Sequence, residues 1–186
     1  MFGTSKDIKN PGLNILPPGV ERHVVNGGAL TAFQIFPDDE LEIINNEGNQ
    51  ICEIICFNKD GKSDAGILNL KTNNDKNFIR SILNGKDETI LATNHQLKKR
   101  NLNISDSKSS IIFDLDTKAG ESFKLKSKDK CYAIFAAPSE DMDVTNQNPP
   151  SDLTIFIKRS QIVNDKELNV IPDPVFEPLY EENINK

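Results

Sequence analysis

Residues 46–58 read NEGNQICEIICFN, and one carboxylate, Glu53, stands inside an otherwise apolar run. In an extended strand, residues 51, 53, 55 and 57 share one face and 52, 54 and 56 the other. Glu53 therefore stands with Ile51, Ile55 and Phe57, and Cys52 stands with Ile54 and Cys56. Both faces are apolar apart from the acid, which predicts a central strand. A buried carboxylate must be paired or neutralised. Two roles are open to it. It lines a cavity, where it binds a cation, an amine or a metal or moves a proton, or it is held by a nearby Arg, Lys or backbone N–H as part of the packing. Glu53 is thus the candidate catalytic residue.

The other chemistry-bearing residues are sparse. Cys52, Cys56 and Cys131 all sit in apolar strand-like runs, and three cysteines do not make an even disulfide framework. They are expected as buried free thiols in a reducing cytoplasm. The Cys52–Cys56 spacing is not that of a zinc knuckle, and with only His23 and His95 available no metal centre is expected. No cysteine has the polar context of an activated nucleophile. No dinucleotide fingerprint, P-loop or Gly-x-Ser-x-Gly elbow occurs. The basic run Lys98-Lys99-Arg100 and the acidic run at 139–143 are expected as solvated loops.

The elements that must position these residues are mostly strands. Thr31, Phe33 and Ile35 alternate with Leu30, Ala32 and Gln34; Pro37-Asp38-Asp39 is a turn; Leu41 and Ile43 alternate with Glu40 and Glu42. The Asn45–Asn49 segment is expected as a hairpin loop leading into Gln50–Phe57, with a second turn at Asn58–Lys62. Asn73–Asp75 offers N-caps for a helix in which Phe78, Ile79, Ile82 and Leu83 share a face, with Gly85 as its stop. Thr89–Ala92 is expected as a short strand and Asn94–Lys108 as loop. Strands resume at Ser110–Asp116, Ser122–Leu125, Cys131–Ala137 and Leu153–Ile157. The fully apolar CYAIFAA is expected to be buried on both faces.

The stretch from Phe33, FQIFPDDELEIINNEGNQICEIICFN, echoes that from Phe113, FDLDTKAGESFKLKSKDKCYAIFAAP. Each runs strand, turn, alternating strand, turn, Cys-containing strand. The expected fold is therefore mainly β, a two-sheet sandwich or barrel-like domain with pseudo-repeated hairpins and one short helix. The expected organisation is an N-terminal arm at 1–19, a β domain at 20–160 and a Pro-rich extended tail or linker at 161–186. At 186 residues with 27% charged residues and net charge −6, the chain suits one soluble domain. The acidic balance argues against nucleic acid or anionic membrane as partner. No secretory leader or span-length apolar run is seen, so a cytoplasmic location is expected.

The segment DDELEIINNEGNQICEIICFN resembles the opening motif of the urea carboxylase-associated family, in which Gly and Asn or Gln precede an acid within an apolar strand. Gly48, Asn49 and Gln50 match, and Glu53 stands at the acid. KDKCYAIFAAPSED resembles the closing motif, an apolar strand ending in Cys-Pro. Here Ala137-Pro138 replaces Cys-Pro, and Thr93-Asn94-His95-Gln96 does not match the family's central His-Asp motif. The resemblance implies a domain of the type also joined to glycine cleavage T-protein-like aminomethyltransferases. It implies an accessory or binding module, not catalytic by itself, associated with a folate-dependent aminomethyl- or methyltransferase. Folate would belong to the joined or partner domain, with no cofactor in this chain. The implied alternatives are a hydrolase or deiminase acting on a small carboxylated amine or guanidine compound, or a purely structural module. Expected partners are a transferase domain or partner protein, with room for a small-molecule ligand and a homo-oligomer. The binding residues are expected at Asn49, Gln50, Glu53 and Asn58. On this view Glu53 is the surviving member of a site whose thiol stood at Ala137.

Overall fold

The computed structural model describes residues 16–73, 77–86, 88–139 and 149–160. The arm at 1–15 and the tail at 161–186 lie outside the described residues. Among the described residues eight strands form: β1 (Val20–Val25), β2 (Leu30–Ile35), β3 (Glu40–Asn45), β4 (Cys52–Phe57), β5 (Ser110–Phe113), β6 (Glu121–Lys126), β7 (Cys131–Ala136) and β8 (Leu153–Lys158). They pair into two four-stranded sheets, which we call A (order β1-β8-β3-β6) and B (order β2-β7-β4-β5). Every strand pairing is antiparallel. The fold is a β sandwich, and these two orders are those of an eight-stranded jelly roll.

All successive strands except β4 and β5 lie in opposite sheets. The Asn45–Asn49 connection is therefore an arch between sheets rather than the expected hairpin loop. Its strands go apart because each finds a better-matched partner: Leu41 and Ile43 meet Ile157 and Ile155 of β8, while Ile54 and Ile55 meet Phe135 and Ile134 of β7. Gly48 fits the arch for a backbone reason. Its φ is +78°, and a Cβ there would lie 2.6 Å from the Ala119 nitrogen. The internal echo has a structural counterpart. β2-β3-β4 and β5-β6-β7 each run sheet B, sheet A, sheet B, and two of the three equivalent pairs are neighbours, β3 with β6 and β4 with β7, while β2 and β5 lie at opposite edges of sheet B.

The main core lies between the sheets and includes Phe33, Ile35, Leu41, Ile43, Ile54, Phe135 and Ile155. Full burial of such side chains contributes about 1.5–3 kcal/mol each. A second core lies on the outer face of sheet B. There Ile55, Phe57, Ile134 and Ala136 are covered by Ile79 and Leu83 of helix α1 (Phe78–Leu83) and Leu97 of helix α2 (Glu88–Lys99). That is why β4 is apolar on both faces.

Helix α1 begins at Asn77, whose Oδ1 accepts from the Arg80 N–H at 2.9 Å, later than the Asn73–Asp75 caps expected. Helix α2 replaces the expected strand at 89–92 and the first part of the expected loop. Its packed stripe is half polar: Thr93 and Leu97 are buried, and Asn94 Nδ2 donates to the Leu83 carbonyl at 2.6 Å. Polar residues at two packed positions masked the helical period. No helix among the described residues is long and apolar enough to cross a membrane.

Candidate functional site

Glu53 lies near the start of β4 and pairs in register with Ala136 of β7. Partners in register share a face, so Glu53 points from the outer face of sheet B toward the helices. It is 0% exposed. Its Oε2 accepts the Ile79 N–H at 2.6 Å, in the first turn of α1. That N–H has no intrahelical acceptor, so the carboxylate satisfies a helix end and ties the helical layer to the sheet.

Ala137 occupies the opposite surface. It belongs to the core between the sheets, and its backbone pairs with Ala29 and Gly28. A thiol at residue 137 would face away from Glu53 across sheet B. The pairing of Glu53 with a lost thiol at Ala137 is therefore corrected by geometry: strand alternation places residues 136 and 137 on opposite faces.

The other expected binding residues are not brought into one cluster. Asn49 is exposed in the arch with φ +55°, and its N–H donates to the Thr117 carbonyl at 2.8 Å. Gln50 is buried; its Nε2 donates to the Ile51 and Pro138 carbonyls, both at 2.9 Å, and its Oε1 accepts the Ser151 N–H at 2.7 Å. It thereby fastens the start of β4 to the chain leaving β7 and the chain entering β8. Asn58 lies at the far end of β4, about 17 Å from Glu53 at strand rise. Its Oδ1 accepts the Asp60 and Lys62 N–H groups and builds the turn there.

The thiols follow expectation: Cys52, Cys56 and Cys131 are free and buried. Burial, with the nearby Glu53 charge, pushes the Cys52 thiol well above the usual range. A hydrogen bond with Cys131, and then burial, does the same for Cys56. These groups are protonated, soft apolar filling rather than nucleophiles. No group of three or more His, Cys, Asp or Glu side chains among the described residues could hold a metal ion.

A polar cluster that the sequence did not reveal sits where β1, β3 and β8 meet. Arg159, just past β8, donates Nε and Nη2 to Glu21 Oε1 and Oε2 at 2.7 and 2.9 Å. Its Nη1 donates to Asp39 Oδ2 at 2.7 Å and to the Gln34 carbonyl at 3.0 Å. Asp39 also accepts the Phe36 and Ser160 N–H groups. Burial opposes ionisation of Glu21, but hydrogen bonds from His23 and Arg159 and their charges outweigh it and hold its pKa at about 2. The His23 ring packs on Phe33 with centroids 4.4 Å apart. This cluster is a rivet between strands: its acceptors and donors are engaged with one another.

No family model matches the chain. The chain is 30% identical over 172 residues to the trimethylamine-oxide aldolase of Ruegeria pomeroyi. That match covers 92% of this chain and 22% of the aldolase, so the chain spans about a fifth of the length of the curated relative it matches.

Proposed function

We propose that this chain is an accessory β-sandwich module that works beside a catalytic domain acting on a methylated amine. It contributes packing, docking or small-molecule binding rather than bond chemistry. One observation carries this reading: nearly the whole chain matches a protein named for its action on trimethylamine N-oxide, yet the match accounts for 22% of that protein. The resemblance to domains joined to folate-dependent aminomethyltransferases points the same way, because both chemistries concern one-carbon units on nitrogen. On this reading folate belongs to the adjoining domain. The three free buried thiols suit a reducing cytoplasm.

The placement of Glu53 supports the accessory role over a deiminase or hydrolase role. A general acid–base group must come within hydrogen-bond reach of its substrate. Glu53 is sealed between sheet B and the helices and is engaged by a backbone N–H.

The test is turnover by the chain as it stands. Cleavage of trimethylamine N-oxide into an amine and an aldehyde balances as dimethylamine plus formaldehyde. The chain alone, with or without added tetrahydrofolate, is expected to release neither. Formaldehyde release that disappears in Glu53→Gln would overturn the reading and make the sandwich itself the catalyst.

A further inference from the structure

Sheet B is covered on its outer face by α1 and α2, whereas no element of the described residues covers the outer face of sheet A. A groove of about 800 Å³ crosses that open face. Val20 and Phe156 form its apolar floor, and Lys124, Lys126 and Lys158 stand along it with Glu40 and Glu42. Val20, Lys158 and Glu40 are in register across three strands, as are Phe156 and Glu42, so these side chains share the outer face. The chain leaves β8 directly beside the groove. Lys158 lines it, and the next residues are pinned: Arg159 N–H donates to the Gly19 carbonyl at 2.8 Å, and Ser160 N–H to Asp39.

We propose that this groove docks the chain's own segment 161–186, which lies outside the described residues. The occupant is argued from its chemistry and reach. Its last part carries Val175, Phe176, Leu179 and Tyr180 among Pro172, Pro174 and Pro178. Prolines lack the N–H that a strand added at a sheet edge needs, so the segment suits a face rather than an edge. Pro-rich extended chains dock in grooves that offer aromatic rings, and Phe156 supplies one. Fifteen residues from Ser160 to Val175 reach about 45 Å when extended, while four strands span only about 15 Å. This proposal stands whether or not the accessory role holds.

The test follows chymotryptic cleavage after Tyr180 by mass spectrometry, in the full chain and in a free peptide of residues 161–186. Docking predicts cleavage at least about tenfold slower in the full chain than in the peptide, because proteolysis tracks the open population. Phe156→Glu in the groove, and separately Val175→Ser with Phe176→Ser in the segment, should each restore the peptide's rate. The segment variants leave the sandwich sequence untouched, so they report even if Phe156→Glu fails to fold. Cleavage of the native chain at the peptide's rate would overturn the proposal, as would slow cleavage that the segment variants do not relieve. Slow cleavage that becomes fast on dilution, with a dimer in sedimentation velocity, would overturn it in favour of a second copy as occupant.

Discussion

Replacing Arg159 by Met should be among the most damaging single changes outside the apolar core. The guanidinium side chain is 4% exposed and serves two carboxylates and a carbonyl. Its loss leaves Asp39, 1% exposed, with two backbone N–H donors but no counter-charge. Breaking a buried pair by removing one partner costs about 3–5 kcal/mol. Because Glu21 is 26% exposed and can rehydrate, the lower end, about 3 kcal/mol, is expected. For a chain of this size that is a fall in Tm of about 6–12 °C. The pH dependence should change as well. Glu21 has its folded pKa lowered from 4.5 to about 2, so the stability it lends is fully present above 4.5 and is lost as pH falls through 2. At 1.36 kcal/mol per unit the ceiling is about 3 kcal/mol, and solvent screening of this partly exposed group reduces it to about 1–2. Urea unfolding at several pH values between 2 and 7 measures both effects. Arg159→Met should lower ΔG at neutral pH and flatten its decline between pH 4.5 and 2. A variant within about 0.5 kcal/mol of the parent, or one with the same acid decline, would refute the rivet.

Glu53→Leu should lose about 1–3 kcal/mol in urea unfolding, because it leaves the Ile79 N–H without its acceptor. Equal or greater stability would show that the carboxylate is not a structural tie. Gln50→Leu removes three hydrogen bonds at one end of the sandwich and should cost about 2–4 kcal/mol, read from the same curves. The raised thiols predict that native protein at pH 8 takes up no iodoacetamide at Cys52 or Cys56, while urea-unfolded protein alkylates all three cysteines. Rapid native labelling at Cys52 or Cys56 would contradict the sealed core.

The β character was legible because strand alternation is local. Leu41 and Ile43, and the unbroken CYAIFAA, report their burial directly. Sheet membership was not, since alternation shows that a strand has an inner face but not which partner it meets. Hence Asn45–Asn49 reads as a hairpin loop in the sequence although it is an arch between sheets. Alternation separates the two faces of β4, yet nothing in the sequence tells which faces the other sheet and which the helices. That second fact decides the surroundings of Glu53 and separates it from Ala137. Helix α2 was hidden by Thr93 and Asn94 on its packed stripe. The Arg159 rivet joins residues 138 and 120 positions apart, so no spacing pattern could announce it. Its local signal is limited to an Arg that follows Lys158 at the end of an apolar strand.

The central claim is that this sandwich serves an adjoining catalytic domain. It is tested most directly by replacing the matched segment of the Ruegeria pomeroyi aldolase with this chain and measuring formaldehyde release from trimethylamine N-oxide. An accessory role predicts that the folded chimera remains active, and that it stays active when it also carries a folded Glu53→Gln substitution. A folded chimera that is inactive, or one whose turnover is abolished by Glu53→Gln at unchanged stability, would contradict it.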